Sequence, residues 1–82
     1  MKKTRKSKAR NIIGGRIRQA RLKAKPPISQ EDLAGRVAAQ GVLLDRSAIS
    51  RIENQERYLM DYELTAIAKC LKVSVASLLD EK

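Results

Sequence analysis

Three times along this chain an apolar residue stands directly before a serine or aspartate, with a second apolar residue four positions after it. The three sets are Ile28-Ser29 with Leu33, Leu44-Asp45 with Ile49, and Val73-Ser74 with Leu78. A Ser or Asp oxygen at such a place accepts a hydrogen bond from an exposed amide of a first helical turn. The apolar pair on either side clamps the entry of the chain. Three helix starts within 82 residues leave little length for anything but helices.

The remaining periodicity agrees. Ile13, Ile17, Ala20 and Ala24 recur at helical spacing and predict a first helix over 13–24. Gly14 and Gly15 weaken its first turn, and Pro26-Pro27 stop it. The second helix starts at Ser29, where Asp32 can complete a capping box, and buries Leu33, Ala34, Val37 and Ala38. Gly41 is placed to end it in a left-handed conformation. A third helix follows Asp45, and a fourth follows Asp61 with Leu64, Ile67, Ala68 and Leu71 on one face. A short fifth helix is capped by Ser74 and extended by Val75 and Leu79. No alternating strand pattern is present. With two Tyr, no Phe and no Trp, the core must be aliphatic. The expected fold is all-α, a compact five-helix bundle over 12–82, preceded by a flexible basic arm over 1–11.

The net charge is +9, and six of those charges lie in residues 1–10, at Lys2, Lys3, Arg5, Lys6, Lys8 and Arg10. Such a balance in a small domain points to a polyanion, although a run of this kind also serves as a solubilising tail. Enzymatic chemistry is not expected. There is no His, only Cys70, and no glycine-rich phosphate loop. Cys70 reads as a small hydrophobe on the fourth helix, and no cofactor or metal is expected. A lone Cys and the lack of a long apolar run point to a reduced, cytoplasmic setting without membrane contact.

On a helical wheel of the third helix, Ala48, Ile49 and Ile52 fall on one side. Arg46, Ser47, Ser50, Arg51 and Asn54 share an arc of about 140° on the other. That outer arc has no acid and no aliphatic residue. Arg can bond guanine bidentately, Asn can bond adenine, and Ser suits base edges or phosphate. The free amides at the helix N-terminus suit a phosphate as well. An ordinary solvated face can have the same composition.

Four ordered segments carry a resemblance. Ile13-Gly-Gly-Arg-Ile-Arg-Gln-Ala-Arg21, Ser29-Gln-Glu-Asp-Leu-Ala34, Ser47-Ala-Ile-Ser-Arg-Ile-Glu-Asn54, and Leu64-Thr-Ala-Ile-Ala-Lys-Cys-Leu-Lys-Val-Ser74 with Leu78-Leu79 together resemble the XRE-family, phage-repressor type of helix-turn-helix domain. The resemblance implies a lambda-repressor-like bundle that binds double-stranded DNA and regulates transcription, as a repressor, at the nucleoid. It implies that Gln30 bonds a phosphate and that Arg46, Ser47, Ser50 and Arg51 meet base edges and nearby phosphates. Asn54 and Arg57 would anchor the DNA backbone, Tyr58 would add a phenolic bond, and Arg21 would pair with Glu53. This chain departs from the family pattern in a longer Lys25-Pro26-Pro27 connection and in a longer stretch from Val37 to Asp45. It also has Gln55 where a glycine is common. The longer stretch is either an extended second helix or a real loop.

An antitoxin-like or other protein-interaction module is the competing class, and an acidic or apolar outer face would have favoured it. RNA binding lacks aromatic stacking residues, and a membrane-binding arm would need bulky apolar residues. The chain stops soon after the fifth helix, so no separate dimerisation or effector domain is expected. A homodimer would then be weak and promoted by a two-fold DNA site, with the fifth helix and the loop around Tyr58 and Leu59 in contact.

Overall fold

The computed structural model describes residues 9–79. Most of the basic arm, residues 1–8, lies outside them. Five helices follow in order: α1 (Gly14–Lys23), α2 (Gln30–Ala39), α3 (Arg46–Glu53), α4 (Asp61–Leu71) and α5 (Val75–Leu79). No strand occurs among the described residues. The sequence reading places the starts of all five helices within a residue or so, and the end of α1 as well.

The helix starts form where the polar caps stand. Ser29 Oγ accepts from the Asp32 amide at 2.9 Å, Asp45 Oδ1 accepts from the Ala48 amide at 2.8 Å, and Ser74 Oγ accepts from the Ser77 amide at 3.0 Å. Around the first two caps, Ile28 and Leu33 are buried, as are Leu44 and Ile49. The start of α4 is built differently. Asp61 is its first residue rather than its cap, and Glu63 Oε1 accepts from the Met60 amide at 2.9 Å.

The helix ends repeat a single device. Gly41, Gln55 and Lys72 follow α2, α3 and α4, and all three have positive φ, at 89°, 63° and 59°. In each case two nested backbone bonds close the end: Val42 to Val37 and Gly41 to Ala38, Glu56 to Arg51 and Gln55 to Ile52, Val73 to Ala68 and Lys72 to Lys69. This is the Schellman arrangement, whose left-handed residue is usually glycine. Gln55 and Lys72 fill it against a left-handed penalty of roughly 1–2 kcal/mol each. Gln55 thus holds a backbone conformation that glycine usually fills. The α2 helix stops at Ala39, so the stretch before α3 is a loop over 40–45 and not an extension of α2.

Ile13, Ile17, Leu33, Val37, Leu44, Ile49, Ile52, Ile67, Leu71 and Leu78 form one aliphatic core. In it α3 packs against both α1 and α2, while α4 and α5 close the far side. Ala38, expected in the stripe of α2, is exposed. Position 38 lies on the edge of the stripe, and Leu33 with Val37 already fills the contact. Gly14 is buried at the start of α1, directly over the carbonyls that end α3; a Cβ there would stand 2.8 Å from Glu53 O and closer still to Ile52 O. Glycine is what lets the two helices meet at this point.

Candidate nucleic-acid interface

One side of α3 is held tightly. Ile49, Ile52 and Glu53 are buried and Ala48 is half-buried. The Glu53 carboxylate accepts from Arg21 Nε at 2.7 Å and Arg21 Nη2 at 2.9 Å, and from Gln30 Nε2 at 3.0 Å. Arg21 Nη1 also donates to Ile28 O at 2.9 Å. The ionic side chains are 8% and 2% exposed, so this pair is a buried one. Through a single carboxylate, α1, the start of α2 and the end of α3 are joined.

The other side of α3 is unengaged by the described residues. Arg46, Ser47, Arg51 and Asn54 are exposed and Ser50 is half-buried. None of these five side chains makes a hydrogen bond or an ion pair with another described residue. Two guanidiniums, two hydroxyls and an amide therefore face solvent together on a helix whose orientation is fixed from behind.

Other residues named from the sequence stand elsewhere. The Gln30 amide, expected at a phosphate, turns inward to Glu53, and exposed Glu31 and Asp32 follow it in the first turn of α2. Two carboxylates there oppose an approaching phosphate. The N-terminus of α3, expected to offer free amides, carries the Asp45 carboxylate on the Ala48 amide, so its charge disfavours an anion. Arg57, expected to anchor a DNA backbone, is paired bidentately with Glu63 at 3.0 and 3.2 Å and also donates to Tyr58 O at 3.0 Å. Tyr58 is exposed, with Arg10 over its ring. Cys70 is half-buried; burial pushes its thiol up, against a smaller opposing pull from Arg36, so the reactive thiolate is disfavoured.

Sequence reasoning missed Glu63 and Asn11. Glu63 is buried and accepts from both Arg57 and the Met60 amide. Burial pushes its carboxyl up, but the hydrogen bonds from Arg57 and Met60 and the Arg57 charge outweigh that and hold it below the ordinary glutamate range. A carboxyl lowered in the folded state adds stability above its unfolded value, about 4.3, and that stability is lost as pH falls through the lowered folded value. Thermal unfolding followed from neutral pH to below 4 should show the wild type losing more stability than Glu63→Gln. Equal losses in the two proteins would remove the role assigned to this carboxylate.

Asn11 reads as the last residue of the arm, yet it is part of the folded domain. Its Nδ2 donates to Ile52 O at 3.0 Å and to Arg57 O at 2.9 Å, and its Oδ1 accepts from the Ile13 and Gly14 amides at 3.1 and 2.8 Å. The only sequence signal was an asparagine three residues ahead of a helical glycine, the spacing of a helix cap.

Among the described residues, no group of His, Cys, Asp and Glu is placed to hold a metal ion, and no helix is long and apolar enough to cross a membrane. Comparison with family models, with curated proteins and with solved structures gives no match for this chain.

Proposed function

We propose that this chain is a sequence-specific, double-stranded DNA-binding domain that regulates transcription, as a repressor. In this reading α2, the loop over 40–45 and α3 form a lambda-repressor-like helix-turn-helix, and α3 enters the major groove. One observation carries the proposal: the outward face of α3 and its C-cap hold Arg46, Ser47, Ser50, Arg51 and Asn54 without partners among the described residues and without an acid, while the inward face is locked by Ile49, Ile52 and Glu53. Donors held at fixed positions on a rigid helix are what base-edge recognition requires. The basic segment 1–10 supplies charge for the phosphates.

The test is selection of a bound sequence from a random duplex pool, followed by binding to that site and to its single-base variants across salt concentration. Arg46→Ala and Arg51→Ala should each remove about 1–3 kcal/mol of discrimination at a defined base pair where the arginine reads guanine. Deleting residues 1–8 should weaken selected and random DNA alike and flatten the salt dependence. If the deletion abolished base preference while both arginine variants retained it, α3 would not be the reading element. Failure to enrich any sequence would end the reading.

A protein-interaction module is the second reading, favoured by the exposure of Leu43, Met60 and Tyr62. Leu43 is 87% exposed in the loop before α3 while its neighbour Leu44 is buried. Leu43→Ser would weaken a protein partner and leave the selected DNA site unchanged.

A further inference from the structure

The end of α3 that carries Asn54 is built together with the last residues of the basic segment. The Arg10 amide donates to Gln55 O at 2.9 Å, and Gln55 Nε2 donates back to Asn11 O at 2.9 Å. Asn11 uses both amide protons on the Ile52 and Arg57 carbonyls, and its oxygen holds two amides at the start of α1. An asparagine side chain with two donated and two accepted bonds has used its full capacity. Its position is thus fixed relative to α3, and Arg10 is the residue immediately before it.

Arg10 is exposed, and its guanidinium lies over the Tyr58 ring with Cζ 5.3 Å from the centroid. Its Nη1 makes a long bond, 3.4 Å, to the Tyr58 hydroxyl. A guanidinium over a ring face keeps its edge donors available, so stacking orients this cation without neutralising it. Arg57, the residue before Tyr58, is committed to Glu63. The C-terminal end of a helix ordinarily repels an anion through its unpaired carbonyls. Here Asn11 donates to the Ile52 carbonyl and so reduces that repulsion.

We propose that Arg10 and Tyr58 together bind one backbone phosphate of DNA beside the Asn54 end of α3, with Asn11 as the positioning residue that holds Arg10 there. This rests on the reading of α3 as the major-groove helix and adds a fixed point to it. Arg10 is then a localised contact, distinct from the cations at Lys2, Lys3, Arg5, Lys6 and Lys8. Base reading by Arg51 and Asn54 and the entry point of the basic segment share one register.

The experiment is phosphate-ethylation interference on the selected duplex, with the full chain and with Arg10→Gln, Arg10→Lys, Asn11→Ala and a form lacking residues 1–8. The wild type should show an interfering phosphate adjoining the base pair whose preference Arg51→Ala erases. Arg10→Gln should lose that one phosphate and lower the logarithmic salt slope by about 0.9, the value for one neutralised phosphate. Arg10→Lys, which keeps the charge but not the stacked planar fork, should keep the salt slope and weaken interference at that phosphate. Asn11→Ala, with its charge unchanged, should lose the same phosphate while its salt slope on random duplex stays at the wild-type value. Deleting residues 1–8 should leave the phosphate in place. If Asn11→Ala does not fold, as judged by circular dichroism, Arg10→Gln decides alone, because its side chain lies at the surface. Two results overturn the inference and leave the function standing: Arg10→Gln keeps every interfering phosphate, or deletion of 1–8 removes this one. Failure of the full chain to select any duplex overturns both.

Discussion

Glu53→Ala is expected to destabilise the domain by about 3–5 kcal/mol, the range for removing one partner of a buried ion pair. Arg21 would be left with its guanidinium buried, with the Ile28 carbonyl as its remaining hydrogen-bond acceptor among the described residues and without the carboxylate that accepts from its Nε and Nη2. Gln30 would lose its acceptor in the same step. Domains of this size have a total stability of only about 5–10 kcal/mol, so the loss is about a third of the total or more, and the variant should unfold at a clearly lower denaturant concentration. Urea unfolding at neutral pH measures it. The companion variant replaces both partners with apolar residues, Arg21→Met with Glu53→Leu, and should recover most of the loss, because neither charge then remains to be desolvated. A loss below about 1 kcal/mol for Glu53→Ala would put this pair in the class of surface bridges.

Gly14→Ala should destabilise where propensity alone says the reverse. Alanine gains about 1 kcal/mol over glycine inside a helix. At Gly14 that gain meets a Cβ placed against two backbone carbonyls, those of Ile52 and Glu53, and backbone cannot swing aside as a side-chain tip can. Overpacking of this kind costs about 1–3 kcal/mol and at times more, so the net sign is negative. Gly15 is the control in the adjacent position. Nothing lies within 4 Å of a Cβ there, so Gly15→Ala should stabilise by up to about 1 kcal/mol. In a domain this small each kcal/mol moves the midpoint by roughly 4–8 °C, so two melting curves separate the cases. Stabilisation by both alanines would mean that α1 and α3 have room to part.

What was legible in the sequence follows from how local each interaction is. Ser29, Asp45 and Ser74 cap amides three residues away, and Gly41 closes the turn it stands in, so a short window of sequence holds the whole cause. The burial of Ile17, Leu33, Ile49 and Ile67 follows from helical periodicity for the same reason. The misses are long-range. Asn11 bonds to residues more than 40 positions away, and nothing in its neighbourhood separates it from the basic run before it. Gln30 is drawn inward by Glu53, a residue on another helix. Gln55 and Lys72 end helices with glycine geometry but without glycine, so the residue type hid the turn. At the candidate site, the periodicity assigned the two sides of α3, and the side chains fall on those sides. The commitment of Arg57 to Glu63 was hidden because Glu63 reads as an ordinary first-turn acid of α4.

The two sides of α3 differ in what their residues are bound to, and this has an evolutionary consequence. Glu53 and Gly14 are tied to partners on other elements, so each can change only if a partner changes with it. Positions 46, 47, 51 and 54 have no such ties among the described residues. Substitutions there carry little folding penalty and can accumulate singly. A lineage built on this scaffold can therefore vary the chemistry of this outer face through viable single steps, with the inner framework inherited unchanged.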